Sequence, residues 1–140
     1  MLKSVLLSSA LAILTATAPA QCGALTATGT GAPGTTVDLT LTGSTPNALA
    51  ILVVGDTLGT TSIATPFATL VLGLESPFLP VPIGLTDGNG DASLTIDVPS
   101  AVTQGADLFG QGVAIDFSFG PTGPSIAFCV SDTAAFHLGT

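Results

Sequence analysis

The chain has 140 residues, of which 46% are hydrophobic and only 7% charged, with nine Asp or Glu, one His and one Lys or Arg, for a formal net charge of −8. The single cation is Lys3, so the body of the chain offers phosphate no positive side chain; this excludes nucleic acid as a partner and disfavours bare anionic lipid. No internal salt bridge is expected for the same reason, and the fold must rest on apolar burial and backbone hydrogen bonds.

The first residues, MLKSVLLSSALAILTATAPAQC, place Lys3 before an apolar run from Val5 to Leu14, followed by Ala18-Pro19-Ala20. A charged start, a short apolar stretch and a small-x-small site are the grammar of a secretory signal peptide. The run is interrupted by Ser8 and Ser9 and falls short of the roughly 20 apolar residues that a bilayer-spanning helix needs. We expect a signal peptide at residues 1–20, a single domain at 21–140 and no integral span after cleavage. Gln21 before Cys22 argues against lipidation, which normally needs a small residue there. Cys22 and Cys129 are the only cysteines. An even count in an exported chain reads as a disulfide, which here would close a loop of about 100 residues. Two free thiols, or an intermolecular bridge from Cys22, are the alternatives.

Beyond Cys22, short apolar runs alternate with Gly, Pro, Thr and Asp, without a helical period. Val37, Leu39 and Leu41 alternate with Thr36, Asp38, Thr40 and Thr42, predicting a half-buried strand. After the turn signal Ser44–Asn47 comes ALAILVVG (Ala48 to Gly55), apolar throughout, as suits a central strand buried on both faces. Thr57 to Pro66 reads as a polar loop, and Phe67 to Leu74 as a strand on its length and β-branched content, with a short helix as the alternative. Val81, Ile83 and Leu85 alternate again, with Pro80 and Pro82 directing that strand to a sheet edge. Leu94, Ile96 and Val98 form the next stripe, then Val113, Ile115, Phe117 and Phe119. GPTGP (Gly120 to Pro124) closes a hairpin, Ile126, Phe128 and Val130 follow, and Phe136 and Leu138 lie on a last strand. Phe117, Phe119 and Phe128 read as core. About seven or eight short strands at roughly 10-residue spacing predict an all-β antiparallel two-sheet sandwich, immunoglobulin-like or Greek-key. A transmembrane barrel is disfavoured by short Pro-rich strands and by the absence of Trp and Tyr girdles.

The stretch LTDGNGDASLTI (Leu85 to Ile96) spaces Asp87, Asn89 and Asp91 as in a calcium loop. Counted from Asp87, however, the EF-hand positions for the turn glycine and the bidentate Glu hold Ala92 and Val98. Asp87-Gly88 and Asn89-Gly90 instead suit a tight hairpin turn between strands. A weak, non-EF-hand calcium site on Asp87, Asn89 and Asp91 is the alternative. Ser131, Asp132 and His137 carry the letters of a catalytic triad, yet no G-x-S-x-G elbow accompanies them, and His137 fits an outward strand position. With one His, a His-rich zinc site is impossible, and no phosphate loop carries its Lys.

From Gly29 onward the chain resembles a family of small, uncharacterised secreted bacterial β-sandwich domains. The likeness lies in GAPGTTVDLTLTG leading into ALAILVVG, then LTDGNGDASLTIDVP, GADLFGQGVAID and IAFCVSDTAAFHLG. TDGNGDASL is also similar to the TD-x-x-G hairpin of bacterial immunoglobulin-like and carboxypeptidase-regulatory-like domains. Many look-alikes carry Trp or Tyr near LFGQ, where this chain has Phe109, and Cys129 departs from the expected position. The resemblance implies export and a sandwich fold and carries no activity. We therefore expect a non-catalytic, secreted, periplasmic or cell-surface protein without a cofactor, structural, adhesive or protein-binding in role, with proteins or its own copies as partners. A calcium-dependent ligand-binding module is the alternative.

Overall fold

The computed structural model describes residues 22–66, 68–102 and 104–140; the expected signal peptide at residues 1–20 lies outside them. The chain runs β1 (Ala24–Thr28), β2 (Thr36–Thr42), β3 (Leu49–Gly55), β4 (Leu58–Ala64), β5 (Thr69–Leu74), β6 (Phe78–Leu85), β7 (Ala92–Asp97), β8 (Ala106–Gly120) and β9 (Gly123–Leu138). Every pairing is antiparallel. One sheet has the order β1-β2-β7, a second β6-β3-β8-β9, and β4-β5 stand as a separate two-stranded sheet.

The first two sheets close on one another as a sandwich. Val37, Leu39 and Leu41 of β2 and Leu25 of β1 bury their side chains against Ala50 and Leu52 of β3 and Phe136 of β9. Period-2 alternation drives this: each inward leucine is flanked by an outward Thr or Asp, and β2 alternates buried and exposed as its sequence does. Gly112 lets the sheets approach, because a Cβ there would lie 2.7 Å from Leu41 Cδ1.

The uniformly apolar β3 is central, between β6 and β8, and both its faces are covered. Ala50, Leu52 and Val54 face the first sheet. Ile51 and Val53 join a second core with Leu72 and Leu74 of β5, Val113 of β8 and Val130 of β9. The β4–β5 hairpin thus forms a third layer over the outer face of the larger sheet. It is pinned by Gln111, whose Oε1 accepts from Gly73 N at 2.9 Å and whose Nε2 donates to the Ser131 carbonyl at 2.8 Å.

Several expectations need correction. Thr57 to Pro66 is largely strand, not loop: β4 pairs with β5 from Leu58↔Leu74 to Ala64↔Thr69. Its side chains are nearly all exposed, so it lacks the alternation that would have revealed it. The β-structure at the C-terminal end is not a set of short strands, since β8 and β9 have 15 and 16 residues and Ile126 to Leu138 lie on one strand. Between β6 and β7 the TDGNGD turn is not a hairpin, because β6 pairs with β3 and β7 with β2; it carries the chain from one sheet to the other. Phe117 and Phe119 are not core; they are 54% and 86% exposed. Pro80 and Pro82 do lie on an edge strand, β6.

Candidate functional site

Chemistry-bearing side chains gather in three places: the crossover turn, the C-terminal end of β9 and the far end of the β8–β9 hairpin. At the turn, Asp87 Oδ1 accepts from Asn89 N at 2.8 Å and Asp91 N at 3.0 Å. The backbone closes the same turn, with Asp87 N donating to the Asp91 carbonyl and Gly90 N to the Asp87 carbonyl. These bonds, chiefly that from Asp91 N, hold the Asp87 carboxyl below its ordinary value of 3.8. Asp91 Oδ1 reaches back to Gly43 N at 3.0 Å, and Ser44 N and Oγ both donate to the Gly90 carbonyl. Gly90 has φ +79°, and a Cβ there would overlap the Ser44 carbonyl, so the turn is locked onto the loop after β2.

The acids of the alternative calcium site, Asp87 and Asp91, act as acceptors for backbone N–H groups. No group of three or more His, Cys, Asp or Glu able to hold a metal occurs among the described residues. The unfolding midpoint is expected to be the same in millimolar calcium and in EDTA, whereas a ligand bound only to the folded state would raise it. Asp87→Ala should lower the midpoint at neutral pH by removing the acceptor. The folded-state pKa of Asp87 is depressed, so its contribution is fully present above 3.8 and fades as pH falls through the folded value. The gap between wild type and Asp87→Ala should accordingly shrink in acid; a constant gap would contradict this role.

At the end of β9, His137 Nδ1 lies 2.7 Å from Asp107 Oδ1, across the β8–β9 ladder, and Nε2 lies 3.3 Å from the Thr140 carbonyl. The Asp107 hydrogen bond raises the imidazole above its ordinary 6.5, and with His137 protonated the two form an ion pair, which corrects the expectation that no internal salt bridge is available. The other triad letters are engaged elsewhere. Ser131 Oγ accepts from Gly112 N and donates to the Asp132 carbonyl, both within 2.8 Å. Asp132 Oδ1 accepts from Leu25 N at 2.9 Å. Both residues sit where the β8–β9 register shifts, between Gln111 and Val113, and stitch that irregularity to β1. The hydrogen bonds of Ser131 and Asp132 thus go to Gly112, Leu25 and the local backbone, not to His137.

Beside this node, Cys22 and Cys129 form a disulfide with Cα atoms 5.1 Å apart. Their surroundings are the small buried residues Ala48 and Ala114. The bond lands on β9, the last strand, where the separate C-terminal strands of the sequence reading would have made it the penultimate one. Cys22 N also donates to the Val130 carbonyl at 2.8 Å, so β1 is fastened to the outer edge of β9.

The third place carries Phe119, the most exposed large hydrophobic side chain among the described residues. Pairing of β3 with β8 stops at Leu49↔Ile115, whereas β8 and β9 stay paired to Gly120↔Gly123. From Asp116 to Ala127 the hairpin is therefore a two-stranded arm beyond the sandwich. Ile115 packs in the second core, and alternation carries Phe117 and Phe119 along the same face, past the cover of β4–β5. Their cross-strand partners are Ile126 and Pro124. From Phe117 to Ser131 the chain has no charged residue, although the rest of the molecule is acidic. A groove of about 630 Å³ runs beside the arm, between Ala68 to Val71 and β9 at Ile126, Phe128 and Val130. Sequence reasoning found the stripe but assigned it to the core.

No helix among the described residues is long and apolar enough to cross a membrane. Compared with known protein families, characterised proteins and solved structures, the chain matches none.

Proposed function

We propose that this is an exported, non-catalytic β-sandwich of the immunoglobulin-like type that acts by protein contact, as a structural or adhesive module of the bacterial cell exterior. The observation that carries the reading is the arm: Phe119 is 86% exposed and Phe117 54% on a ribbon with no charged residue from Phe117 to its end, in an otherwise anionic protein. Contiguous exposed apolar surface of this kind marks interaction sites, and unpaired strand edges recruit other strands. Export is supported by the signal-like N-terminus and the disulfide. With β4 and β5 set aside, the strands of one sheet follow the A-B-E order and those of the other C′-C-F-G. That order supports the immunoglobulin-like assignment and the resemblance to small secreted bacterial sandwich domains.

The test is surface retention in a bacterial host that expresses the full chain with its own N-terminus. Wild type is expected to be exported, to begin at Gln21, and to stay with washed cells. The double variant Phe117→Ser/Phe119→Ser should be exported and released. Because both side chains are exposed, its stability should lie within about 0.5 kcal/mol of wild type. Equal release of the two proteins would contradict an arm-borne contact function, and turnover on a broad hydrolase panel that is lost in His137→Ala would contradict a non-catalytic one.

A further inference from the structure

Resting on that reading, we propose that the arm's partner is a second copy of this chain, joined through the outer edge of β9 in an antiparallel strand pair centred on Ile126. The hydrogen-bond parity of β9 comes first. Cys22 N donates to the Val130 carbonyl, so that carbonyl points away from β8. At the other end, Gly120↔Gly123 closes a two-residue turn, Pro121-Thr122. The closing pair of such a hairpin exchanges its bonds across the ladder, which makes the next pair, Phe119↔Pro124, one whose backbone groups point outward. The missing N–H of Pro124 is harmless there. Both ends agree, and alternation gives Ile126 and Phe128 the same parity. Their N–H and C=O groups face out from the sheet, and no backbone group among the described residues outside the strand ladders bonds to them.

The open stretch is bounded. Toward the tip it ends at Gly123, where the turn begins. Toward the body it ends at Val130, where Cys22 occupies the edge. Between them lie Pro124 to Phe128, with Ile126 at the middle. A two-fold axis at that point sets Ile126 against the partner's Ile126, and their N–H and C=O groups satisfy one another. Each Phe128 N–H meets the partner's Pro124 C=O, and Pro124 brings no donor to leave unpaired. The register is thus self-complementary, as an isologous contact requires.

Charge selects this occupant. The described residues include no Lys or Arg, so two copies that approach through a face bearing acids set carboxylates against carboxylates, and the uncharged edge strand β6 carries Pro80 and Pro82, which have no N–H to offer a partner strand. Along the proposed register Asp132 falls opposite the partner's Gly120, and the uncharged run from Phe117 to Ser131 meets itself. A cationic macromolecule would be drawn to the acidic faces and away from the arm. Pairing also completes a structure that is weak alone. A two-stranded ribbon is marginal in water, whereas joined arms form a four-stranded one, with Phe117, Phe119 and Ile126 of both copies on a shared face.

The register makes Ile126 face its own copy, so a charge swap tests it. Sedimentation of the exported, purified protein across a concentration series is expected to show wild type at twice the chain mass. Ile126→Lys and Ile126→Asp should each sediment as monomers, and an equimolar mixture of the two should regain the dimer, because only in a mixture do opposite charges meet. Should the charged variants fail to fold, Ile126→Pro removes an N–H that the chain's own sheet does not use and should leave a folded monomer. A wild type that stays monomeric at every concentration overturns the pairing, as does a dimer that persists in all three variants, or charged variants whose mixture stays monomeric. Retention of wild type on cells and its loss in Phe117→Ser/Phe119→Ser separates the two claims, since it would uphold the contact function even if the self-pairing fell.

Discussion

Replacing Cys22 and Cys129 together by alanine is expected to lower the folding stability by about 2–5 kcal/mol. The bond spans a sequence separation of 107 residues, so its removal restores to the unfolded chain nearly all the freedom that a single cross-link can take away. In the folded state it stands where one edge of the sandwich closes. There β1, a five-residue strand, reaches β9 through Cys22 N to the Val130 carbonyl and Leu25 N to Asp132 Oδ1. Without the cross-link these bonds hold a terminal strand, the kind of element that frays first. Denaturant unfolding of wild type and the double variant measures the difference. A loss under about 1 kcal/mol would mean that packing around Ala48 and Ala114 closes the edge without help.

The second large effect is expected for Leu72→Ala, at about 2–5 kcal/mol. Leu72 is 1% exposed and belongs to the second core, on the inner face of β5 with Val53, Val113 and Val130. Truncation would leave a void that the β3–β8–β9 ladder cannot fill. Leu58→Ala on the outer strand of the same hairpin should change stability by no more than about 0.5 kcal/mol, because Leu58 is half exposed. This contrast separates a docked third layer from a loose flap: if β4–β5 were only appended, both substitutions would be equally mild. A smaller loss is expected if Gln111 no longer accepts from Gly73 N, since a half-buried backbone donor would go unpaired.

The disulfide and Leu72 mark what the sequence made legible and what it did not. The disulfide followed from cysteine count and the signal-like N-terminus. The strands β2 and β7 were written in alternation, and the uniformly apolar β3 foretold a strand covered on both faces. The cover itself was hidden. Thr57 to Pro66 exposes nearly every side chain, so β4 is held by its ladder to β5 and not by a pattern of its own. Phe117 and Phe119 show the complementary limit. Alternation tells which face a side chain takes, but whether another layer reaches that far depends on where β3 stops, opposite Ile115, a fact of long-range pairing.

The crossover turn teaches the same lesson at shorter range. Asp87, Asn89 and Gly90 encode a turn, and a turn forms, with Asp87 holding two backbone N–H groups. Local residues do not say which sheets that turn connects. It joins β6 in one sheet to β7 in the other, and its carboxylates tie it to Gly43 and its own backbone. The site of interest lay elsewhere, on a stretch with no titratable group at all. It is legible only once the ends of the sheets are known.

The central claim, that the outer edge of the β8–β9 arm is the contact surface, is tested most directly by amide hydrogen exchange at Ile126 and Phe128, followed from dilute to concentrated protein. The account predicts rapid exchange at both amides in dilute solution, with strong protection appearing at high concentration, while the amides of Ala127 and Cys129, which face β8, stay protected throughout. Ile126 and Phe128 amides that exchange freely at every concentration, or that are protected even in the isolated chain, would contradict it.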